Sequence, residues 1–375
     1  MRIAVLTLPL HTNYGGILQA YALQIILQRM GHEVDVLNRS MYIKVKRYSC
    51  KEYFIQIAKR IVRKYVLCDK NIDVFAENAF NRRYAIISQH TQKFIDRYIH
   101  DRIINDLNAL KESDYDVYVV GSDQIWRPKY YNSIDSAYLS FARDWNHIKR
   151  IAYAPSFGTD EWEYNAEQTA ICRDLIKRFD FISIRESDGV RLCKDYFDVE
   201  AEHAIDPTLL LEKSDYVNLV SQVKTQKSEG KLLVYVLDMT QEIEQTICKV
   251  AEYKHLSPNY VSSKVENSTA PLKERIQKPV EQWLRSFMET EFVITDSFHA
   301  CVFAIIFNKP FAVLGNKERG MSRFGSLLKL FGLENRLVNT VEDINALADI
   351  DWENINIKRN NLKSYWIQKL QSQLQ

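Results

Sequence analysis

The sequence predicts an α/β protein made of two successive strand-and-helix units with a cleft between them. Three observations predict it. At 375 residues the chain has room for two domains of roughly 150 residues each. Short apolar runs of strand length alternate with stretches of helical apolar spacing. Polar residues and the scarce glycines, 11 in all where the usual share of about 7% would give more than twice as many, gather where the apolar runs end. In open parallel sheets ligands bind beyond the carboxyl ends of the strands, so those gatherings are where function is sought.

The first unit opens with an apolar run from Arg2 to Leu8, the polar loop HTNYGG, helical spacing from Ile17 to Met30, and a second strand from Glu33 to Asn38 after Gly31. That order is a βαβ unit. From about 41 to 110 no strand pattern is seen, and the segment reads as a helical insertion. Within it Phe54, Ile57, Ala58, Ile61 and Tyr65 share one helix face, while Lys59, Arg60, Arg63 and Lys64 point elsewhere. Strand runs return at Val117 to Val120, Arg150 to Ala154, Phe181 to Ile184 and Ala201 to Ala204, with helical spacing between, as at 165 to 179. The first domain is therefore placed at 1–220.

A lysine-rich polar stretch, Ser221 to Gly230, reads as the linker. Beyond it the second domain, 230–350, carries strands at Leu232 to Leu237, 259 to 262, Phe292 to Thr295 and Phe311 to Leu314. Helices are expected near 240 to 253, 279 to 289 and 298 to 307, and a charged helix at 355–375 closes the chain.

Composition removes several classes. With 50 basic against 48 acidic side chains the net charge is +2, which gives no field for nonspecific nucleic-acid binding. Neither GxGxxG nor GxxxxGK[ST] occurs, so dinucleotide and P-loop assignments lose their support. Six cysteines are scattered without CxxC or Cys/His ligand spacing, so reduced thiols and no metal site are expected. The run IAVLTLPL is eight residues long, too short for a signal core or a membrane span, and a cytoplasmic location follows as an expectation. From Lys44 to Lys64 there are eight basic residues against one glutamate. This amphipathic stretch reads either as a solvated helix face or as a peripheral contact with anionic lipid at the inner face of a membrane.

Candidate site residues come from the strand ends. Asn13, Tyr14, Gly15 and Gly16 start the first helix, where free N–H groups favour an anion and Asn13 also suits a plain cap. VVGSDQIWRP offers Asp123, Gln124 and Trp126 after a buried strand. Arg185 in ISIRES, where its strand should end, is placed to reach an anion or to pair with Glu186 or another carboxylate. Asp206 in AIDPTLLL is a ligand contact or a turn cap. The densest signal is FVITDSFHA, which delivers Asp296, Ser297 and His299 to the start of an apolar helix. A histidine there is a candidate acid, base or phosphate ligand. Arg319 and Arg323 follow in a glycine-containing loop that suits an anion or lies in solvent.

NYGGILQAYAL, VVGSDQIWRP, AYAPSFG, ISIRES, IDPTLLL, TDSFHACVFAIIFNKPF and SRFGSLLKLFGL, in this order over about 1 to 340, resemble the polysaccharide pyruvyl transferase family. The resemblance implies two Rossmann-like domains facing a central cleft, similar to GT-B glycosyltransferases, with the helical insertion in the first. It implies transfer of a pyruvyl group from phosphoenolpyruvate to a sugar as a ketal, with no cofactor besides that donor. The family's basic and histidine positions correspond to Arg185 and His299. Ala300 stands where the family often has glycine.

Under that resemblance the donor's carboxylate and phosphate are expected at Arg185, Ser297, His299, Arg319, Arg323, Gly15 and Gly16, and the acceptor at Asn13, Tyr14, Gln124, Trp126 and Asp206. The acceptor is expected to be a galactose- or mannose-type sugar, either in the polysaccharide or on a lipid-linked precursor. His299, Asp123 and Asp296 are the candidates for proton transfer. A nucleotide-sugar glycosyltransferase and a non-catalytic sugar-binding protein are the rival readings of the same cleft.

Overall fold

The computed structural model describes residues 1–42, 50–68, 73–131, 133–315 and 320–375. Its strands form two sheets, every pairing within them parallel. The first holds β1 (Arg2–Leu6), β2 (Glu33–Asn38), β3 (Asp101–Ile103), β4 (Val117–Val120), β5 (Lys149–Ala152), β6 (Phe181–Ile184) and β7 (Glu202–His203), in the order β3-β2-β1-β4-β5-β6-β7. The second holds β8 (Leu232–Tyr235), β9 (Pro258–Tyr260), β10 (Phe292–Thr295), β11 (Phe311–Leu314) and β12 (Leu337–Val338), in the order β12-β11-β10-β8-β9. Chain direction across the sheet reverses between β1 and β4 in the first and between β8 and β10 in the second. Each of those places opens a crevice at the carboxyl ends of its strands.

The central strands are buried on both faces, which is why VYVV, LLVY, FVIT and FAVL read as unbroken apolar runs. The helix Phe298–Phe307 is buried at every position, as an all-apolar helix must be. Its core is continuous with that of the first helix, Tyr14–Arg29. Tyr14 stacks on Trp283 at 5.2 Å and donates its hydroxyl hydrogen to the Lys278 carbonyl. Gln277 donates to the Thr12 carbonyl at 2.8 Å. The two units therefore share one interior.

The insertion contains the helices Cys50–Ile61, Ala76–Ile87 and Gln89–Tyr98. Two short strands depart from the expected pattern. β3 lies inside the segment expected to be wholly helical, and β12 was not anticipated. With three and two residues respectively, each sits at a sheet edge and is too short to show a period. The first helix begins at Tyr14, ahead of its apolar spacing, because the Asn13 side chain accepts from the Gly16 N–H and fixes the start there.

The C-terminal helix, Trp352–Gln373, returns to the first unit. Trp366 is buried against Tyr153 and Phe181, at ring distances of 5.9 and 6.5 Å, and Lys149 donates to the Gln373 carbonyl. The helix thus straps the last part of the chain across β5 and β6. We expect Trp366→Ala to lower unfolding free energy by about 3–5 kcal/mol in chemical denaturation. A loss below about 1 kcal/mol would mean that the helix only lies on the surface.

Candidate active site

The two crevices face each other across a cavity of about 940 Å³. Its wall comes from strand ends in both units: Leu8, Pro9 and His11 to Asn13 after β1, Arg39 after β2, Asp123 and Gln124 after β4, Tyr235 and Leu237 at β8, Glu266 after β9, and Ser297 after β10.

The β4 loop is held tightly. Gly121 has φ +134°, and a Cβ there would stand 2.0 Å from the Tyr153 carbonyl oxygen, so only glycine lets β4 and β5 approach so closely. Ser122 donates from its hydroxyl to the Ala154 carbonyl, and its N–H donates to Gln19 of the first helix. Asp123 follows at φ +63°, a left-handed backbone unusual for a residue with a side chain. Its carboxylate reaches the cavity wall on one side and the protein interior on the other.

Behind that wall lies a buried cluster of charge. Arg185, with a side chain only 1% exposed, donates to Asp123 Oδ1 at 3.0 Å and to Asp206 Oδ2 at 2.9 Å. Asp206 Oδ1 accepts from the Thr208 N–H and hydroxyl. His299, at the first turn of the Phe298–Phe307 helix, brings Nε2 to 3.4 Å from Asp206 Oδ2, close enough for charge attraction but without hydrogen-bond geometry. Burial pushes both aspartic carboxyls up, but the neighbouring Arg185 and His299 outweigh it, and both are held below the usual carboxylate value. Burial and then the nearby Arg185 charge lower the Arg323 guanidinium to about 10. Its carbon lies 5.8 Å from the Phe298 ring centre.

Gly15 admits His299 to this cluster. A Cβ on Gly15 would stand 2.0 Å from His299 Nδ1, so the start of the first helix packs directly on the ring. In the second unit Thr295 donates to the Tyr235 carbonyl, and the Asp296 carboxylate accepts from the Leu237 and Asp238 N–H groups. These bonds lock the end of β10 to the end of β8 and aim Ser297 into the cavity.

The family described as polysaccharide pyruvyl transferase matches residues 13–318. The chain belongs to this family. A search of curated proteins returns no significant match. Among solved structures the chain is similar to the glycotransferase of kitacinnamycin, at 13% identity over 99% of this chain and 98% of that one, with a TM-score of 0.48. It is also similar to UDP-GlcNAc 2-epimerase from Neisseria meningitidis bound to UDP-GlcNAc, at 12% identity over 99% and 94% of the two chains, with a TM-score of 0.43. A third is the S. aureus MnaA structure with UDP, at 12% identity over 92% and 86%, with a TM-score of 0.46.

In this pyruvyl transferase family member, Asp123, Asp206, Arg185 and His299 meet in one cluster, and Asp123, Gln124, Asn13 and Ser297 line the cavity. Several expected roles are corrected. Trp126 is fully buried, stacked on Tyr138 at 4.6 Å with its indole N–H donated to the Ala137 carbonyl, so it cannot meet an acceptor. Tyr14 is fully buried between the two units. Asp206 is a brace and turn cap with no open face, not an acceptor contact. Arg185 is no open clamp, because both terminal nitrogens are committed to Asp123 and Asp206, neither of them the neighbouring Glu186.

The Gly16 N–H is taken by Asn13, so it is not free for an anion, and Gly15 serves by its lack of a side chain. Asp296 is a buried brace of the loop rather than part of the cavity wall. Arg319 lies outside the described residues.

Three wall residues were missed. His11 and Arg39 both follow strands, in HTNYGG and VLNRS, and the strand-end rule applied to every strand would have found them. Arg39 stacks on Tyr131 at 4.2 Å and has no carboxylate partner among the described residues. Burial lowers the His11 imidazole pKa, against the opposing pull of Glu266 and Asp123. Glu266 sits in a polar stretch with no distinguishing signal.

Removing Arg185 leaves two carboxylates buried without their cation. Arg185→Ala is expected to cost about 3–5 kcal/mol of stability near neutral pH. Because both carboxyl pKa values are depressed by folding, this contribution is present above the unfolded value of 3.8 and is lost as pH falls below it. The gap between wild type and variant should therefore begin to narrow as pH falls below about 5 and keep narrowing well below 3.8, down through the depressed folded-state values, in denaturation curves. An unchanged stability at neutral pH would show that the arginine is a free ligand group instead.

Proposed function

We propose that this protein transfers the pyruvyl group of phosphoenolpyruvate to two hydroxyls of one sugar, in a polysaccharide or its lipid-linked precursor, forming a ketal and releasing phosphate. The observation that supports this reading is that three of the family's motifs, at Asn13, at Asp123 with Gln124, and at Ser297, line one cavity, with His299 and Arg185 in the charged cluster directly behind its wall.

The reaction fixes what the site must supply. The donor's methylene carbon takes a proton and becomes a methyl group. The adjoining carbon gains oxocarbenium character and is attacked by the first sugar hydroxyl. The carbon–oxygen bond to phosphate then breaks, and the second hydroxyl closes the ring. Of the two hydroxyl protons, one balances the new methyl group and the other leaves with phosphate.

This demands a cationic pocket for two anionic groups, an acid and a base. In our reading Arg39 and Arg323 supply positive potential, and Ser297 offers a hydroxyl donor. His299 carries the proton to the methylene carbon, with ionised Asp206 beside it to stabilise the ring when charged. His11 is kept neutral by its burial and takes the acceptor proton, which divides acid and base between two imidazoles in unlike settings. Asp123 orients the acceptor hydroxyls while Arg185 fixes its rotamer.

Incubation with phosphoenolpyruvate and a panel of galactose- and mannose-containing acceptors should release phosphate and raise the acceptor mass by one pyruvate less one water. Thermal stabilisation by a UDP-sugar, and none by phosphoenolpyruvate, would overturn the reading. His299→Ala should reduce turnover by about 10²–10⁴-fold with an intact fold; normal turnover would remove it from the mechanism.

The lowered His11 value also sets a pH dependence. The neutral base persists below the ordinary 6.5, so the acid limb of kcat/KM should lie under that pH and vanish in His11→Gln. A limb unchanged in that variant would assign the base elsewhere.

A further inference from the structure

The insertion is amphipathic with the wrong side out for a helix that packs on a core. On the inner face of the Cys50–Ile61 helix, Arg60 reaches down to Glu77, donating at 2.7 and 2.8 Å to its two carboxylate oxygens. Glu77 is buried, and the pair lowers its carboxyl below the usual value. A polar bond thus anchors the helix to its support, the helix Ala76–Ile87.

The outer face is apolar. Phe54 and Tyr65 are each 69% exposed and Val66 is 70% exposed, with Ile55, Ile61 and Val62 beside them. Of 23 exposed large hydrophobic residues in the described structure, eight fall between 54 and 75, a concentration that marks an interaction surface rather than chance exposure. Of the face that periodicity assigns to one side of this stretch, Phe54, Ala58, Ile61 and Tyr65 are thus turned outward, while Ile57 is half-buried. Lys51 and Lys59 project from the same exposed side.

We infer that this face is a docking surface for an anionic lipid bilayer. A stripe of aromatic and aliphatic side chains flanked by lysines matches the two layers of a membrane interface, acyl chains below and anionic headgroups above. A protein partner's acidic surface would meet the lysines but leave the apolar stripe in water. No described helix is long and apolar enough to cross a membrane, so the contact is peripheral.

The position gives the contact a use. Tyr42, which lines the cavity, packs edge-on against Tyr84 at 5.1 Å, and Tyr84 stacks with Phe80 on the same helix that carries Glu77. The docking face and the cavity mouth therefore share one support, and a bilayer on that face lies beside the opening. The inference does not rest on the reaction proposed above.

Co-sedimentation of the full chain with vesicles tests it, comparing phosphatidylglycerol with phosphatidylcholine. We expect binding to phosphatidylglycerol at low salt that weakens as salt screens the lysines. Lys51→Gln with Lys59→Gln should reduce partitioning by about fivefold per lysine. Phe54→Ser with Tyr65→Ser should reduce it at least about tenfold. Both pairs lie on the surface and should leave the melting temperature unchanged.

Absence of binding to phosphatidylglycerol at low salt overturns the inference, as does binding that both double variants retain. Sedimentation velocity without vesicles covers the remaining case. A dimer that Phe54→Ser with Tyr65→Ser converts to monomer assigns the face to a second copy of this chain and likewise overturns it.

Discussion

Much of the site depends on one buried cation. Arg185 stands at the end of β6 with its two terminal nitrogens on Asp123 and Asp206, which belong to the loops after β4 and β7. The ends of three strands are thus tied to one planar group. A guanidinium suits this because its fork meets two carboxylates at once and keeps its charge when buried. Burial lowers its pKa, but the neighbouring Asp123, Asp206 and Glu186 carboxylates together outweigh that and leave it raised. The arrangement is costly to dismantle in part, since removing one member leaves uncompensated charge in the interior.

The second unit joins through His299. Its ring meets Asp206 on one side and the bare backbone of Gly15 on the other, so the start of one helix in each unit is fixed against the same side chain. The shared core around Tyr14 and Trp283 holds this approach from below. Above it the two strand-order reversals face one another, and the cavity is the space left between them. Glycine scarcity gains a physical meaning here: Gly15 and Gly121 stand where a single Cβ would collide with the cluster or with the neighbouring strand.

Architecture was legible in the sequence because buried parallel strands announce themselves as apolar runs with polar ends. The central strands β1, β2, β4, β6, β8, β10 and β11 were all readable on that basis. The edge strands β3 and β12 were not, since two or three residues carry no period. At the site, residue type and strand-end position located Asp123, Arg185, Asp206 and His299, but not the direction in which each points. Whether an arginine at a strand end faces a cavity or an interior carboxylate is decided by residues far away in the chain, here 62 and 21 positions distant. Trp126 and Tyr14 failed for the same reason, their rings having been claimed by the core. The insertion's apolar face was legible and an outward, lipid-facing side was one of its two readings, but periodicity gives a face and not the side on which it packs.

The central claim is that the buried Arg185 cluster is a fixed frame and that the donor binds in front of it, in the cavity between the two units. A crystal structure of the protein soaked with phosphoenolpyruvate tests this most directly. The account predicts the ligand within hydrogen-bond reach of Arg39 or Ser297, its methylene carbon toward His299, and both Arg185 ion pairs unbroken. A ligand that pulls Arg185 away from Asp123 or Asp206, or that binds outside the cavity, would contradict it.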